Sequence, residues 1–208
     1  LVLAISGGVA VYLRSSARAE AKRFFLAAVE EKPAEEALAI GEELDENLKI
    51  EDAEVASAID TLRDVVAAAK RRAEAEALLA RINEVAKLEE RLGLCNQAVE
   101  VDETYYQAFV QRARVKYALA KREALDKAGA GSKVVTQAAL DDLRKAIVCD
   151  PDVPGPYYVR ADILLESGKD LDSRNLARQD LKRAINMAPG TALAALAEGR
   201  RAALERKL

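Results

Sequence analysis

The side chains that most often carry out chemistry are scarce in this sequence. It contains no histidine, and its two cysteines, Cys95 and Cys149, are far apart. Without histidine there is neither an imidazole base near neutral pH nor an imidazole metal ligand. Two cysteines at this spacing match no zinc motif. We therefore predict no catalytic residue, no metal site and no cofactor, and we interpret both cysteines as small core residues.

Three short motifs still have to be weighed as sites. Gly129-Ala-Gly131-Ser-Lys133 is rich in glycine and ends in lysine, but a phosphate-binding loop needs a different spacing and a preceding strand. We interpret it as an inserted loop. Asp141-Asp142 and the pair Asp170 and Asp172 bring carboxylates together. Each pair lies beside lysine or arginine, so we interpret them as helix surface or helix caps.

The composition predicts an all-α chain. Of 208 residues, 50% are hydrophobic but only 4% are aromatic, and there are 10 glycines and 5 prolines. Strand-rich proteins need β-branched and aromatic residues and frequent turns, whereas this chain favours Ala, Leu, Glu, Lys and Arg, which are good helix formers. The net charge of −3 argues against a nucleic-acid partner, because phosphate binding needs a basic face.

The first residues have the character of a partial membrane anchor. Residues 1–13 carry no charge, and Arg14, Arg18, Lys22 and Arg23 follow. A helix over the uncharged run spans roughly 20 Å, less than the hydrocarbon core of about 30 Å. We expect residues 1–23 to be a truncated transmembrane helix with a basic flank, which makes the protein membrane-anchored on an unspecified side. A buried amphipathic helix and a signal-peptide remnant are the alternatives.

Residues 24–93 are predicted to form a long helical spacer. Pro33 fits the start of one helix, and Asp52 fits the cap of another that continues to about Leu92 without Pro or Gly. The apolar residues of this second helix recur with heptad spacing, which is typical of a coiled-coil arm or of one helix in a hairpin. A homodimer through the 52–92 helix is therefore one option. The apolar positions are Val55, Ile59, Leu62, Val66, Ala69 and Ala73, with a second phase at Leu78, Ile82, Val85 and Leu92.

The C-terminal half contains an internal repeat. Three segments correspond: Ala98-Val-Glu-Val-Asp-Glu103, Ala146-Ile-Val-Cys-Asp-Pro151 and Ala184-Ile-Asn-Met-Ala-Pro189. Small residues recur at fixed offsets from them, namely Ala113, Ala161 and Gly199 after, and Ala139 and Ala177 before. These offsets resemble the tetratricopeptide repeat, a pair of antiparallel helices with small residues at the contact and a proline at the end.

The resemblance implies a helical-hairpin solenoid over residues 94–208. Its first helices are expected near residues 106–121, 157–166 and 192–205, and its second helices near 137–148 and 176–187. The standard repeat is about 34 residues long, whereas Pro151 and Pro189 are 38 residues apart. We place the extra length between paired helices, around residues 126–133 and 171–174.

The resemblance also implies a binding surface. Repeats of this family bind extended peptides or partner helices along the concave face that the first helices form. The lysine and asparagine set with which some members clamp a terminal carboxylate is absent, because Val110 and Arg114 occupy the expected places. The residues expected on the concave face are Gln107, Val110, Arg114, Tyr117, Tyr158, Asp162, Leu165, Glu166 and Arg200.

Two functions fit these observations. The first is a non-catalytic scaffold, tethered to a membrane, that binds a protein or peptide partner. The second is the sensor or docking region of a kinase, because an apolar segment followed by Ala-rich helices and divergent repeats resembles the C-terminal half of certain bacterial membrane-anchored serine/threonine protein kinases. This sequence has no kinase motif, so catalysis would lie upstream. The alanine-rich, arginine-rich composition favours a bacterial source.

Overall fold

The computed structural model describes residues 19–48, 52–126, 132–167 and 170–206. Within those ranges the regular structure is helical and no strand occurs, which confirms the all-α prediction. The helices are α1 across residues 19–31, α2 (Ala34–Leu48), α3 (Ala53–Arg81), α4 (Leu88–Val101), α5 (Tyr106–Asp126), α6 (Ser132–Cys149), α7 (Pro154–Ser167), α8 (Leu171–Met187) and α9 (Ala192–Glu205), with a 3₁₀ turn over Ile82–Glu84.

Backbone contacts divide the chain into two compact units, one up to Lys70 and one from Arg71 onward. The division falls inside α3 because the end of that helix, at Ala75 and Leu78, packs with Ala98 and Val99 of α4. The predicted domains, residues 1–23, 24–93 and 94–208, remain predictions.

In the first unit, the core forms around the ring of Phe25. Phe25 is fully buried and packs with Ala37, Val55, Ile59 and Leu62. Val55, Ile59 and Leu62 begin the predicted heptad stripe, so this part of the stripe is buried against helices of the same chain. The start of α3 thus packs as one helix of a hairpin, and the homodimer through the 52–92 helix stays a prediction.

Asp52 caps α3, as predicted. Its Oδ1 atom accepts hydrogen bonds from the backbone N–H groups of Glu54 and Val55, at 3.0 and 3.2 Å. The Lys22 ammonium donates to the same carboxylate at 2.8 Å. The hydrogen bond from Lys22 and those from the backbone lower the pKa of Asp52.

The prediction that α3 continues to about Leu92 was wrong. The helix ends at Arg81, and Val85 has an extended backbone, with φ −96° and ψ 126°. The Arg91 guanidinium donates to the Val85 carbonyl oxygen at 2.5 Å and holds this turn. The buried stripe also shifts: Ala69 is exposed and Ala75 is fully buried. The shift turns the end of α3 toward the repeats.

In the second unit, α5 packs on α6 and α7 on α8 as two helical hairpins, with α4 against α5 and α9 against α8. The prediction of tetratricopeptide-like hairpins is confirmed. α9 spans the predicted residues, and α5 starts where predicted but continues to Asp126. The extra length that was placed at residues 171–174 is the first turn of α8.

Small residues permit the close packing of these hairpins. At the repeat positions the side chains have no exposed surface, which lets neighbouring backbones approach closely. The residues concerned are Ala113, Ala139, Ala146, Ala161, Ala177 and Ala184. Tyr158 contacts the core on both sides of α7 and joins the two hairpins.

Each hairpin also contains an arginine–aspartate pair. The Arg112 guanidinium donates to both carboxylate oxygens of Asp142, at 2.9 and 2.7 Å, and Arg160 donates to both oxygens of Asp180 at 2.7 Å. The Lys116 ammonium lies 2.8 Å from Asp142. The interpretation of Asp142 as helix surface was therefore wrong, because its side chain is only 4% exposed and forms ion pairs with two cations.

Two further aspartates act at helix ends. Asp170 caps α8 by accepting a hydrogen bond from the Ser173 N–H at 2.8 Å, as predicted. Asp102 ends α4 and accepts from the Thr104 hydroxyl at 2.7 Å and from Arg72 at 2.6 Å. Burial opposes its ionisation, but these hydrogen bonds outweigh burial and hold the pKa of Asp102 below its usual range.

Two sequence features lie wholly or largely outside the described residues. These are the expected anchor, residues 1–23, of which only 19–23 are described, and the glycine-rich loop around residues 127–131. Among the helices in the described ranges, none combines the length and the apolar character needed to cross a membrane.

Candidate functional site

The charged residues predicted on the first helices come together in one cluster. Tyr117 and Lys121 lie one turn apart on α5, and both reach Glu166 on α7. The Tyr117 hydroxyl donates to Glu166 Oε2 at 3.1 Å, and the Lys121 ammonium donates to the same oxygen at 2.9 Å. The hydrogen bond from Lys121 lowers the pKa of Glu166, while burial raises that of Tyr117. These contacts join α5 to α7.

Arg200 extends the cluster to α9. Its Nη2 atom lies 2.6 Å from Asp162 Oδ1 and 3.7 Å from Glu166 Oε1. The buried Oδ1 atom thus has a charge partner but receives no hydrogen bond from the described residues. Burial raises the pKa of Asp162, and the charge of Arg200 opposes that rise. Asp162 is therefore a half-buried carboxylate whose charge partner is Arg200 on the neighbouring first helix.

Arg114 brings a further positive charge to the cluster. Its side chain is exposed, and its charge favours the ionised form of Asp162. No carboxylate in the described part of the chain lies within ion-pair distance of Arg114. A bound carboxylate would therefore find a guanidinium that has no competing salt bridge within those residues.

A cleft of about 450 Å³ lies at the end of this cluster. Two predicted residues, Tyr117 and Glu166, line it. The sequence analysis did not single out the other lining residues, namely Lys121, Ala124, Leu125 and Ser167. Leu125 is 86% exposed. The four-residue spacing of Tyr117, Lys121 and Leu125 places them on one helix face, a signal that was missed because the predicted helix stopped at Lys121.

The other predicted residues contribute less directly. Val110 is buried in the core, and Leu165 and Tyr158 are half-buried against it. Gln107 is exposed, and its amide donates to the Tyr106 hydroxyl at 3.1 Å. The peptide-binding role of all nine residues stays a prediction, but the structure brings Arg114, Tyr117, Asp162, Glu166 and Arg200 together.

The fold has counterparts among solved structures. The first tetratricopeptide repeat of Spaghetti (RPAP3), solved bound to the HSP90 peptide SRMEEVD, superposes with a TM-score of 0.50 over 65% of this chain and 94% of that chain, at 15% identity. The chain has the tetratricopeptide-repeat fold. The Arabidopsis OM64 tetratricopeptide domain is also similar, with a TM-score of 0.48 and 18% identity over 66% of this chain and 99% of that chain.

Comparison by sequence gave no match. No protein-family model matches the chain, and no curated protein matches it.

Within the tetratricopeptide fold, α5, α7 and α9 are the first helices of the repeats, while α6 and α8 are second helices. The cluster described above thus belongs entirely to first helices.

Proposed function

We propose that this chain is a non-catalytic scaffold that binds an extended peptide or a partner helix on the face formed by α5, α7 and α9. The observation that carries the proposal is the single cluster in which Tyr117, Glu166, Asp162 and Arg200 connect three successive first helices. The peptide bound to the RPAP3 repeat domain, which has the same fold, supports this class of function.

The charges of the cluster suit a polar peptide. Lys121, Glu166 and Arg200 are all partly exposed, and ion pairs of that kind are worth about 0–1 kcal/mol each. A ligand can therefore replace them at low cost. Arg114 offers a guanidinium to a ligand carboxylate, and the cleft beside Leu125 offers apolar surface to a neighbouring side chain.

The experiment is a selection from a displayed library of random 12-residue peptides on the full chain. A selected peptide is then labelled, and its Kd is measured by fluorescence anisotropy. Arg114→Ala and Tyr117→Phe should each weaken binding about tenfold or more, a loss of about 1.4 kcal/mol or more.

The matched control is an exposed lysine on a second helix. Lys182→Ala on α8 should change the Kd less than twofold, whereas Lys121→Ala on α5 should weaken binding. Helicity by circular dichroism should be the same for all variants, because these side chains are exposed or half-buried. A selection in which every peptide binds equally well to the parent, Arg114→Ala and Tyr117→Phe would refute the proposed site.

We also propose that residues 1–23 anchor the chain to a membrane. The uncharged run before Arg14 and the basic residues after it support this. The kinase resemblance supports an alternative in which the same repeats are the docking region of a membrane-anchored serine/threonine protein kinase. The coding sequence upstream of Leu1 separates the two: a short leader that completes an apolar span supports the tethered scaffold, and a kinase domain supports the alternative.

A further inference from the structure

A second concavity lies on a different set of helices. We call it the outer pocket; its volume is about 460 Å³, and it is lined by α4, α6 and the start of α5. Val99 and Phe109 contribute core side chains that are almost wholly buried, and Val148 and Cys149 from the end of α6 complete the apolar lining. None of the residues of the concave cluster lines it.

The internal repeat supplies a comparison for this pocket. Val148 belongs to Ala146-Ile-Val-Cys149, and the corresponding segment of the next repeat is Ala184-Ile-Asn-Met187, so Val148 corresponds to Asn186. Val148 is 83% exposed. The repeat fold therefore does not require an apolar residue there, because its own second copy has a polar one. Val148 adds an exposed apolar side chain to a pocket that Val99 and Phe109 already line, and together they form one apolar surface.

The two basic residues that line the outer pocket, Arg144 and Lys145, both belong to α6. The Lys145 ammonium lies 5.9 Å from the centre of the Phe109 ring, and no carboxylate in the described ranges forms an ion pair with it. Among the residues that the structure describes, Arg144 pairs with Asp141, one turn away on the same helix, and both side chains are more than half exposed. Glu103 is contributed by the segment after α4. The α6 wall thus carries two cations, of which Lys145 has no carboxylate partner in the described ranges and Arg144 has an exposed, weak one.

We propose that the outer pocket is a second docking site, for an acidic segment of a partner protein that carries one large apolar side chain. The apolar side chain enters the pocket and covers Val99, Phe109 and Val148, and a neighbouring Asp or Glu of the partner pairs with Lys145 and Arg144. The pocket volume lies in the range of about 300–1,000 Å³ that is typical of ligand sites, and the cationic wall complements the acidic segment. The scaffold then has two independent binding surfaces.

The test uses a displayed library of 12-residue peptides on the full chain, with selected peptides measured by fluorescence anisotropy. Val148→Asn gives the first repeat the residue of the second. It should weaken outer-pocket peptides at least tenfold without changing the melting temperature, because Val148 is exposed. Lys145→Glu should weaken them as much, and the loss should diminish as salt is raised. Leu196→Asn, a matched change at an exposed leucine on α9, should change binding less than twofold.

The outcomes separate this site from the concave face. Peptides that depend on Val148 and Lys145, are rich in Asp or Glu, and bind equally to Arg114→Ala support the outer pocket whether or not the concave face binds anything. A selection in which every peptide depends on Arg114, or none depends on Val148, overturns the outer-pocket proposal. Binding on the concave face is then tested separately by Arg114→Ala and Tyr117→Phe. Binding to phosphatidylserine vesicles that Lys145→Glu abolishes and Val148→Asn does not would assign the wall to lipid and overturn the peptide proposal.

Discussion

Removing the Asp142 carboxylate is expected to destabilise the repeat unit more than removal of any surface charge. Asp142 forms ion pairs with Arg112 at 2.7 Å and with Lys116 at 2.8 Å, and the two cationic side chains are only 15% and 22% exposed. Asp142→Ala leaves both of them without this partner in a poorly hydrated environment. Breaking a buried ion pair from one side costs about 3–5 kcal/mol, a large part of a total stability of about 5–15 kcal/mol.

Urea unfolding followed by tyrosine fluorescence measures this loss. The chain has no tryptophan, and all of its tyrosines except Tyr12 lie between Tyr105 and Tyr158, so the signal reports on the repeats. The neighbouring change Asp141→Ala is the control. Asp141 pairs with Arg144 on the surface, where such a pair is worth about 0–1 kcal/mol. A loss below about 1 kcal/mol for Asp142→Ala would show that the buried pair does not hold α5 to α6.

Three further changes test the packing and the charges. Ala161→Leu overpacks the α7 contact, where Ala161 has no exposed surface, and should cost about 1–3 kcal/mol in urea unfolding; an unchanged midpoint would mean that the repeat register is wrong. Gly41→Ala should destabilise the first unit, because the added Cβ atom would lie 2.6 Å from Phe25 Cε2. Gly93→Ala meets no atom within 4 Å and should stabilise α4 by about 0.4–1 kcal/mol. Both are measured by thermal unfolding followed by circular dichroism at 222 nm, and an equal change in melting temperature for the two variants would contradict the packing. Because the pKa of Asp102 is lowered in the folded chain, its ionised carboxylate stabilises the fold above the unfolded pKa of about 3.9, and this stabilisation is lost as the pH falls through the folded pKa. The difference in melting temperature between the parent and Asp102→Asn should therefore narrow below about pH 4. A difference that stays constant with pH would contradict this.

Much of the fold could be predicted from the sequence, because the repeats mark their own helices. Small residues such as Ala161 and Ala177 identify the helix contacts, and Pro151 and Pro189 mark the turns. The end of α3 at Arg81 could not be predicted, since no Pro or Gly stands near it. It is set by tertiary packing, in which Ile82 is buried with residues that are distant in sequence.

The sequence could indicate that the candidate site lies on the first helices, but not which side chains form ion pairs within the fold. Arg112 and Arg114 have the same chemistry, yet two residues of a helix separate them by about 200°, so they point to opposite sides. Arg112 forms an ion pair with Asp142 inside the hairpin, whereas Arg114 remains exposed. The outer pocket gave no signal in the sequence, because its walls come from three helices and only the folded chain brings Val99 and Val148 to one surface.

Mapping a selected peptide onto the full chain by amide chemical shifts tests the binding face most directly. Binding on the first helices predicts that the largest shifts lie on α5, α7 and α9, around Arg114, Tyr117 and Glu166, and that they disappear at the same peptide concentration in Arg114→Ala. If every selected peptide gave shifts confined to α6 and α8, or shifted the Arg114→Ala spectrum as it shifts that of the parent, peptide binding on the first helices would be contradicted.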